Sequence, residues 1–124
     1  MRKILLVEDD EVLRETYAAI LSTEPYLLDT ATNGRDAMEK CHDTTYDLIL
    51  LDLMMPIMDG VEFLEKFAPF PQRTKIVVLS NVSPGDLLDK AMKLGAHRSA
   101  LKADLSPKQL LALVRYEAEA GAVN

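Results

Sequence analysis

The chain has 124 residues, a formal net charge of −6, 48% hydrophobic residues and 27% charged ones. That is room for one domain with one sizeable core, and the acidic balance excludes a phosphate-backbone binder, which needs a basic stripe, so direct nucleic-acid binding is not expected. A single cysteine, Cys41, rules out an intrachain disulfide, and no apolar stretch approaches the ~20 residues of a membrane span, so a reducing cytoplasm is the expected setting and a membrane is not.

Met1-Arg2-Lys3 precedes an apolar run of only Ile4 to Val7, too short for a secretory signal and of strand length. Leu13, Tyr17 and Ile20 then recur at helical spacing. Tyr26 to Ala31 is a weaker strand, and Ala37, Met38 and Cys41 suggest a second helix. Asp47 to Leu51 and Lys75 to Leu79 are the clearest strands. They are apolar on both faces, as buried parallel strands are. Val61 to Phe67 between them is compatible with a short helix. Leu87, Leu88, Ala91 and Met92 mark a fourth helix, Ser99 to Leu101 a short last strand, and Leu110, Leu113 and Val114 the last helix.

Start signals agree with this order. Asn33 and Asp59 each stand three residues before an acid, Asp36 and Glu62. Ser83-Pro84 and Ser106-Pro107 place proline at a first helical position, and Gly95 follows the fourth helix as a stop. His42 and His97 lack metal-ligand spacing to each other or to Cys41 and are read as surface residues. The expected fold is α/β: one domain spanning residues 1–124, a doubly wound parallel sheet covered on both faces.

In such sheets ligands sit beyond the carboxyl ends of the strands. The residues there are Glu8, Asp9 and Asp10 after the first strand, Asp52 after the third, Ser80 and Asn81 after the fourth, and Lys102 after the fifth. Converging carboxylates repel, and a hard divalent cation relieves that. The competing reading of Glu8 to Asp10 is a solvated turn with helix-capping acids. Asp52 interrupts an apolar run from Leu48 to Met55, where a buried carboxylate needs a partner. A carboxylate can also act as a nucleophile and carry a phosphoryl group. Phosphoryl transfer is mainly positioning and charge neutralisation, which a cation, the Lys102 ammonium and the Ser80 hydroxyl can supply.

Lys3 to Asp10, Asp47 to Gly60, Val77 to Ser80, and Gly95-Ala96 followed by Lys102 together resemble the receiver domains of bacterial two-component response regulators, of the chemotaxis-regulator kind. The resemblance covers essentially the whole chain, and the stretch from Asp52 to Gly60 is its most specific part. It implies a flavodoxin-like sandwich whose five-stranded sheet has the order 2-1-3-4-5. Asp52 would take a phosphoryl group from a sensor histidine kinase or phosphotransfer protein. Mg²⁺ would be held by Asp9, Asp52 and the main-chain carbonyl of Met54, with Glu8 acting through water. Lys102 and Ser80 would contact the phosphoryl group, switching a surface read by a downstream effector protein or by an output domain outside this sequence.

Two positions depart from the family pattern. Ser99 stands where the family commonly has an aromatic residue, and Ala103 where it has proline after the lysine. Met54 and Val82 occupy the places that influence attack by water. Both are apolar and unable to orient a water molecule, which implies slow loss of the phosphoryl group. Two other readings compete. A phosphohydrolase with a nucleophilic aspartate would carry a second acid two residues on, where this chain has Met54. A phosphate-independent adaptor would not need the full set of Glu8, Asp9, Asp52, Ser80 and Lys102.

Overall fold

Leu48 to Leu51 expose none of their surface, a burial that only a central strand with cover on both faces provides. The computed structural model describes residues 1–67, 74–81 and 85–120. Its strands are β1 (Lys3–Val7), β2 (Leu27–Ala31), β3 (Leu48–Asp52), β4 (Lys75–Ser80) and β5 (Arg98–Leu101). Its helices are α1 (Glu11–Leu21), α2 (Gly34–Asp43), α3 (Gly60–Phe67), α4 (Asp86–Lys93) and α5 (Pro107–Ala120), with a 3₁₀ turn at Lys102–Asp104. The strands form one parallel sheet in the order β2-β1-β3-β4-β5, as expected.

Alternation along the strands splits the core in two. Leu5, Val7, Ile49, Leu51 and Val78 meet Ala37, Phe63, Leu64, Leu88 and Ala91 on one face. Ile4, Leu6, Leu48, Leu50, Val77 and Leu79 meet Tyr17, Leu21, Leu110 and Val114 on the other. Phe63 stacks on Phe67 with ring centroids 5.3 Å apart. On the outer strand β2, Leu27 is 48% exposed, which explains its weak strand signature. Among the described residues no helix is long and apolar enough to cross a membrane.

The expected helix caps form. The Asn33 Oδ1 accepts the Asp36 N–H at 2.9 Å, and the Asp59 Oδ1 accepts the Glu62 N–H at 2.8 Å. Ser106 and Gln109 cap reciprocally, each side chain accepting the other's N–H at 3.2 and 2.9 Å. Gly95 has φ +119° and closes α4, a conformation that excludes most other residues.

One expectation needs correction. Asp52 and Ser80 are the last residues of their strands rather than the first beyond them, because the ladder extends to the pairs Asp52–Leu79 and Ser80–Leu101. Of the four apolar positions assigned to the fourth helix, only Leu88 and Ala91 are buried. Leu87 and Met92 flank them and remain 42% and 40% exposed. That helix opens at Asp86 after an extended Gly85; the Ser83-Pro84 signal, Val82 and the final four residues lie outside the described residues. Both histidines are exposed, yet His97 also ties the sheet. Its Nδ1 accepts the Ile76 N–H at 3.1 Å, and its own N–H donates to the Ile76 carbonyl at 2.8 Å. The part of its ring that is covered, with Lys75 adding to the effect, pulls its pKa below the usual value.

Candidate functional site

Parallel strands deliver their last residues to one rim, and here that rim gathers the charged residues. Glu8 follows β1 and is 1% exposed; Asp52 ends β3 and is 4% exposed. Lys102 opens the 3₁₀ turn after β5. Its Nζ lies 2.6 Å from the Glu8 Oε1 and 3.4 Å from the Asp52 Oδ2, with its side chain 7% exposed. The Asp52 Oδ1 also accepts the Met54 N–H at 3.3 Å. At Met54 the structure therefore shows a main-chain donor to Asp52, and the carbonyl expected to bind a cation belongs to the same residue.

The three acids after β1 divide their roles. Asp10 is the helix cap of the competing reading, its Oδ1 accepting the Leu13 N–H at 2.9 Å. Glu8 and Asp9 belong to the site: with Asp52 they place carboxylate oxygens within 4.8 Å of one another. Three carboxylates against one ammonium leave an excess of negative charge. An all-oxygen donor set with one exposed member, Asp9, suits a hard divalent cation that keeps waters of its own. The residues therefore fit a bound Mg²⁺.

The electrostatics agree. Burial, then the charge of Glu8, pushes the Asp52 carboxyl up to about 7; Lys102 and the Met54 N–H oppose the shift. Burial works to lower the Lys102 pKa, but the hydrogen bond to Glu8 and the charge of Asp52 hold it above its usual value. An acid whose pKa is raised on folding loses stability as pH climbs from its unfolded value, near 4, through its folded one. Asp52→Asn is therefore expected to be more stable than the wild type in metal-free buffer, by up to about 4 kcal/mol at pH 8. The margin should shrink as pH falls toward 4. Thermal unfolding across that range checks it, and a margin independent of pH would mean that Asp52 is not held at a cost.

Ser80, buried at the end of β4, lines a cleft of about 210 Å³ with Asp52, Leu53, Met54, Asn81 and Leu87. Each residue expected at the site is thus on one rim. The two departures lie beside it. Ser99 is exposed on the outer strand β5, and Ala103 is exposed in the 3₁₀ turn. The peptide bonds of the described residues are all trans, Lys102–Ala103 included.

Two residues near the site carry no functional signal in the sequence. Tyr17 fits the apolar period of α1 as a core residue, and it is 4% exposed. Its phenol is also within the field of the site: burial raises its pKa most, and Lys102, Glu8 and Asp52 all act on it. Arg14 has no distinguishing pattern around it. Its Nη1 donates to the main-chain carbonyls of Glu8 and Asp9 at 2.9 and 3.3 Å.

The family profile of the response regulator receiver domain matches residues 4–115. The chain belongs to that family, the receiver domains of two-component response regulators. It is 35% identical over 103 residues to the chemotaxis protein CheY of Treponema pallidum, covering 81% of this chain and 72% of that one. It is 32% identical over 117 residues to a transcriptional regulatory protein, the CpxR homolog of Haemophilus influenzae, covering 93% of this chain and 49% of that one. The fold superposes on the CheY-like receiver domain of Methanospirillum hungatei with a TM-score of 0.91 at 23% identity, covering 98% of this chain and 97% of that one.

Proposed function

We propose that this chain, as one receiver unit over residues 1–124, accepts a phosphoryl group on Asp52 in a Mg²⁺-dependent reaction. The donor is a sensor histidine kinase or phosphotransfer protein, and the phosphorylated surface is read by a downstream effector. The observation that carries this is the meeting of Asp52 with Lys102 at 3.4 Å beside the acidic pair Glu8 and Asp9.

An Asp52 carboxylate oxygen attacks phosphorus. The bond from phosphorus to the donor's imidazole nitrogen breaks as the new O–P bond forms, and the leaving nitrogen keeps the electron pair. Asp9, Asp52 and the Met54 carbonyl would hold Mg²⁺ directly and Glu8 through water; when bound, the ion neutralises charge on the phosphoryl oxygens and favours the ionised form of Asp52. Lys102 already spans Glu8 and Asp52, so it meets the incoming oxygens without leaving its place. Ser80 hydrogen-bonds them from the cleft. Met54 is 63% exposed at the cleft mouth and apolar, which supports slow loss of the group to water.

The test is intact mass after incubation with acetyl phosphate. A single phosphoryl adduct is expected with Mg²⁺, and none without it or with Asp52→Asn. No adduct from acetyl phosphate or from any candidate kinase would favour the phosphate-independent adaptor.

A further inference from the structure

The turn between β1 and α1 carries two of the three carboxylates of the site, and they are held differently. Glu8 is fixed through its own side chain: its Oε1 meets the Lys102 Nζ at 2.6 Å, and its Oε2 accepts the Asp10 N–H at 3.2 Å. Asp9 has no such anchor. Its side chain is exposed and makes no hydrogen bond or ion pair among the described residues. With no such anchor, the place from which that carboxylate reaches the site is set by its main chain.

Arg14 holds that main chain. It lies one turn into α1, half-buried, with its own N–H on the Asp10 carbonyl at 2.8 Å. Its guanidinium turns back so that one nitrogen, Nη1, donates to the consecutive carbonyls of Glu8 and Asp9 at 2.9 and 3.3 Å. Two adjacent carbonyls sharing one charged donor cannot rotate independently, because charge-assisted hydrogen bonds are the stronger kind. Helix α1, the turn and the acidic pair become one piece.

We propose that Arg14 is a positioning residue of the metal site, acting through the backbone of Asp9. This rests on reading Glu8, Asp9 and Asp52 as the Mg²⁺ site. The sign of the effect separates it from simple electrostatics. Removing a positive charge beside a cation site should tighten Mg²⁺ binding by Coulomb's law. Loss of positioning should weaken it, and groups that orient metal ligands typically carry ~10-fold or more in affinity.

The experiment titrates MgCl₂ into the protein without a phosphoryl donor and follows the amide resonances of residues 8–10 and 52 by NMR. Arg14→Met is expected to raise the Kd about tenfold. In an Asp9→Asn background the same change should have no weakening effect, since the group being positioned is gone. Arg14→Lys keeps the charge with a shorter reach and should fall between, about threefold weaker than wild type; it is the working variant if Arg14→Met folds poorly. A Kd for either variant equal to or below that of the wild type overturns the proposal. So does an equal weakening in the Asp9→Asn background. Absence of Mg²⁺ binding in the wild type would instead sink the metal reading itself, and this proposal with it.

Discussion

Lys102→Met is expected to destabilise the fold by about 3 kcal/mol at pH 8 in metal-free buffer, because it strands two buried carboxylates. Among the described residues, Lys102 is the cation in contact with both Glu8 and Asp52, whose side chains are 2% and 6% exposed. Methionine fills a similar volume, so packing is nearly kept and the loss is electrostatic. Without the ammonium, Asp52, already pushed up to about 7, rises further. Protonation relieves the crowding as pH falls, so the deficit relative to wild type should be smaller at pH 5 than at pH 8. Added Mg²⁺ should recover part of it by replacing the lost charge. Urea unfolding at the two pH values, with and without Mg²⁺, measures all three effects. A deficit equal at both would show that lost packing of the lysine stem, rather than charge, carries the penalty.

The members of this coupled set are legible in the amino-acid sequence because of where they fall along it. Strands β1, β3 and β4 are apolar nearly throughout, so a polar or charged residue at the end of β3 and β4 and just after β1 marks where each one stops. Convergence then follows from topology: parallel strands all finish on the same edge. Lys102 alone has no local signature, and it acquires meaning only as the residue after β5. What the sequence hides is direction rather than identity. Arg14 looks like any helix-surface arginine in the one-dimensional pattern, yet its side chain folds back onto carbonyls five and six residues earlier. Tyr17 satisfies the apolar period of α1, which conceals its nearness to Lys102. The exposure of Leu87 and Met92 is hidden for a related reason. Helix α4 is eight residues long, and four apolar positions span a wider arc than the sheet can cover.

The glycines carry the least readable part of the design, because glycine at a helix start looks interchangeable. Gly60 follows the capping Asp59 and could pass for an accommodating first helical residue. Its position shows otherwise. A Cβ there would lie 2.6 Å from the Asp52 carbonyl oxygen and 2.8 Å from the Leu53 Cα. Both are main-chain atoms that cannot rotate aside. Gly60 also donates its N–H to the Leu53 carbonyl at 2.9 Å, which draws α3 down onto the end of β3. Gly60→Ala must therefore either break that contact or displace the backbone of Asp52 itself. The expected cost is about 3 kcal/mol, at the upper end for an overpacked site. Because the atoms displaced are those that aim the Asp52 carboxylate, formation of the phosphoryl adduct from acetyl phosphate should fall by about 100-fold even where the protein is still folded, as small misplacements at a reacting centre do. Gly85→Ala is the matched control. Among the described residues nothing lies within 4 Å of its Cβ position, and its extended backbone, φ −159°, suits any residue. It should change stability by no more than about 0.5 kcal/mol. Denaturant unfolding and adduct formation on the two variants side by side test the argument. Equal behaviour of Gly60→Ala and Gly85→Ala would mean that the approach of α3 to β3 is loose, and that the aim of Asp52 does not depend on it.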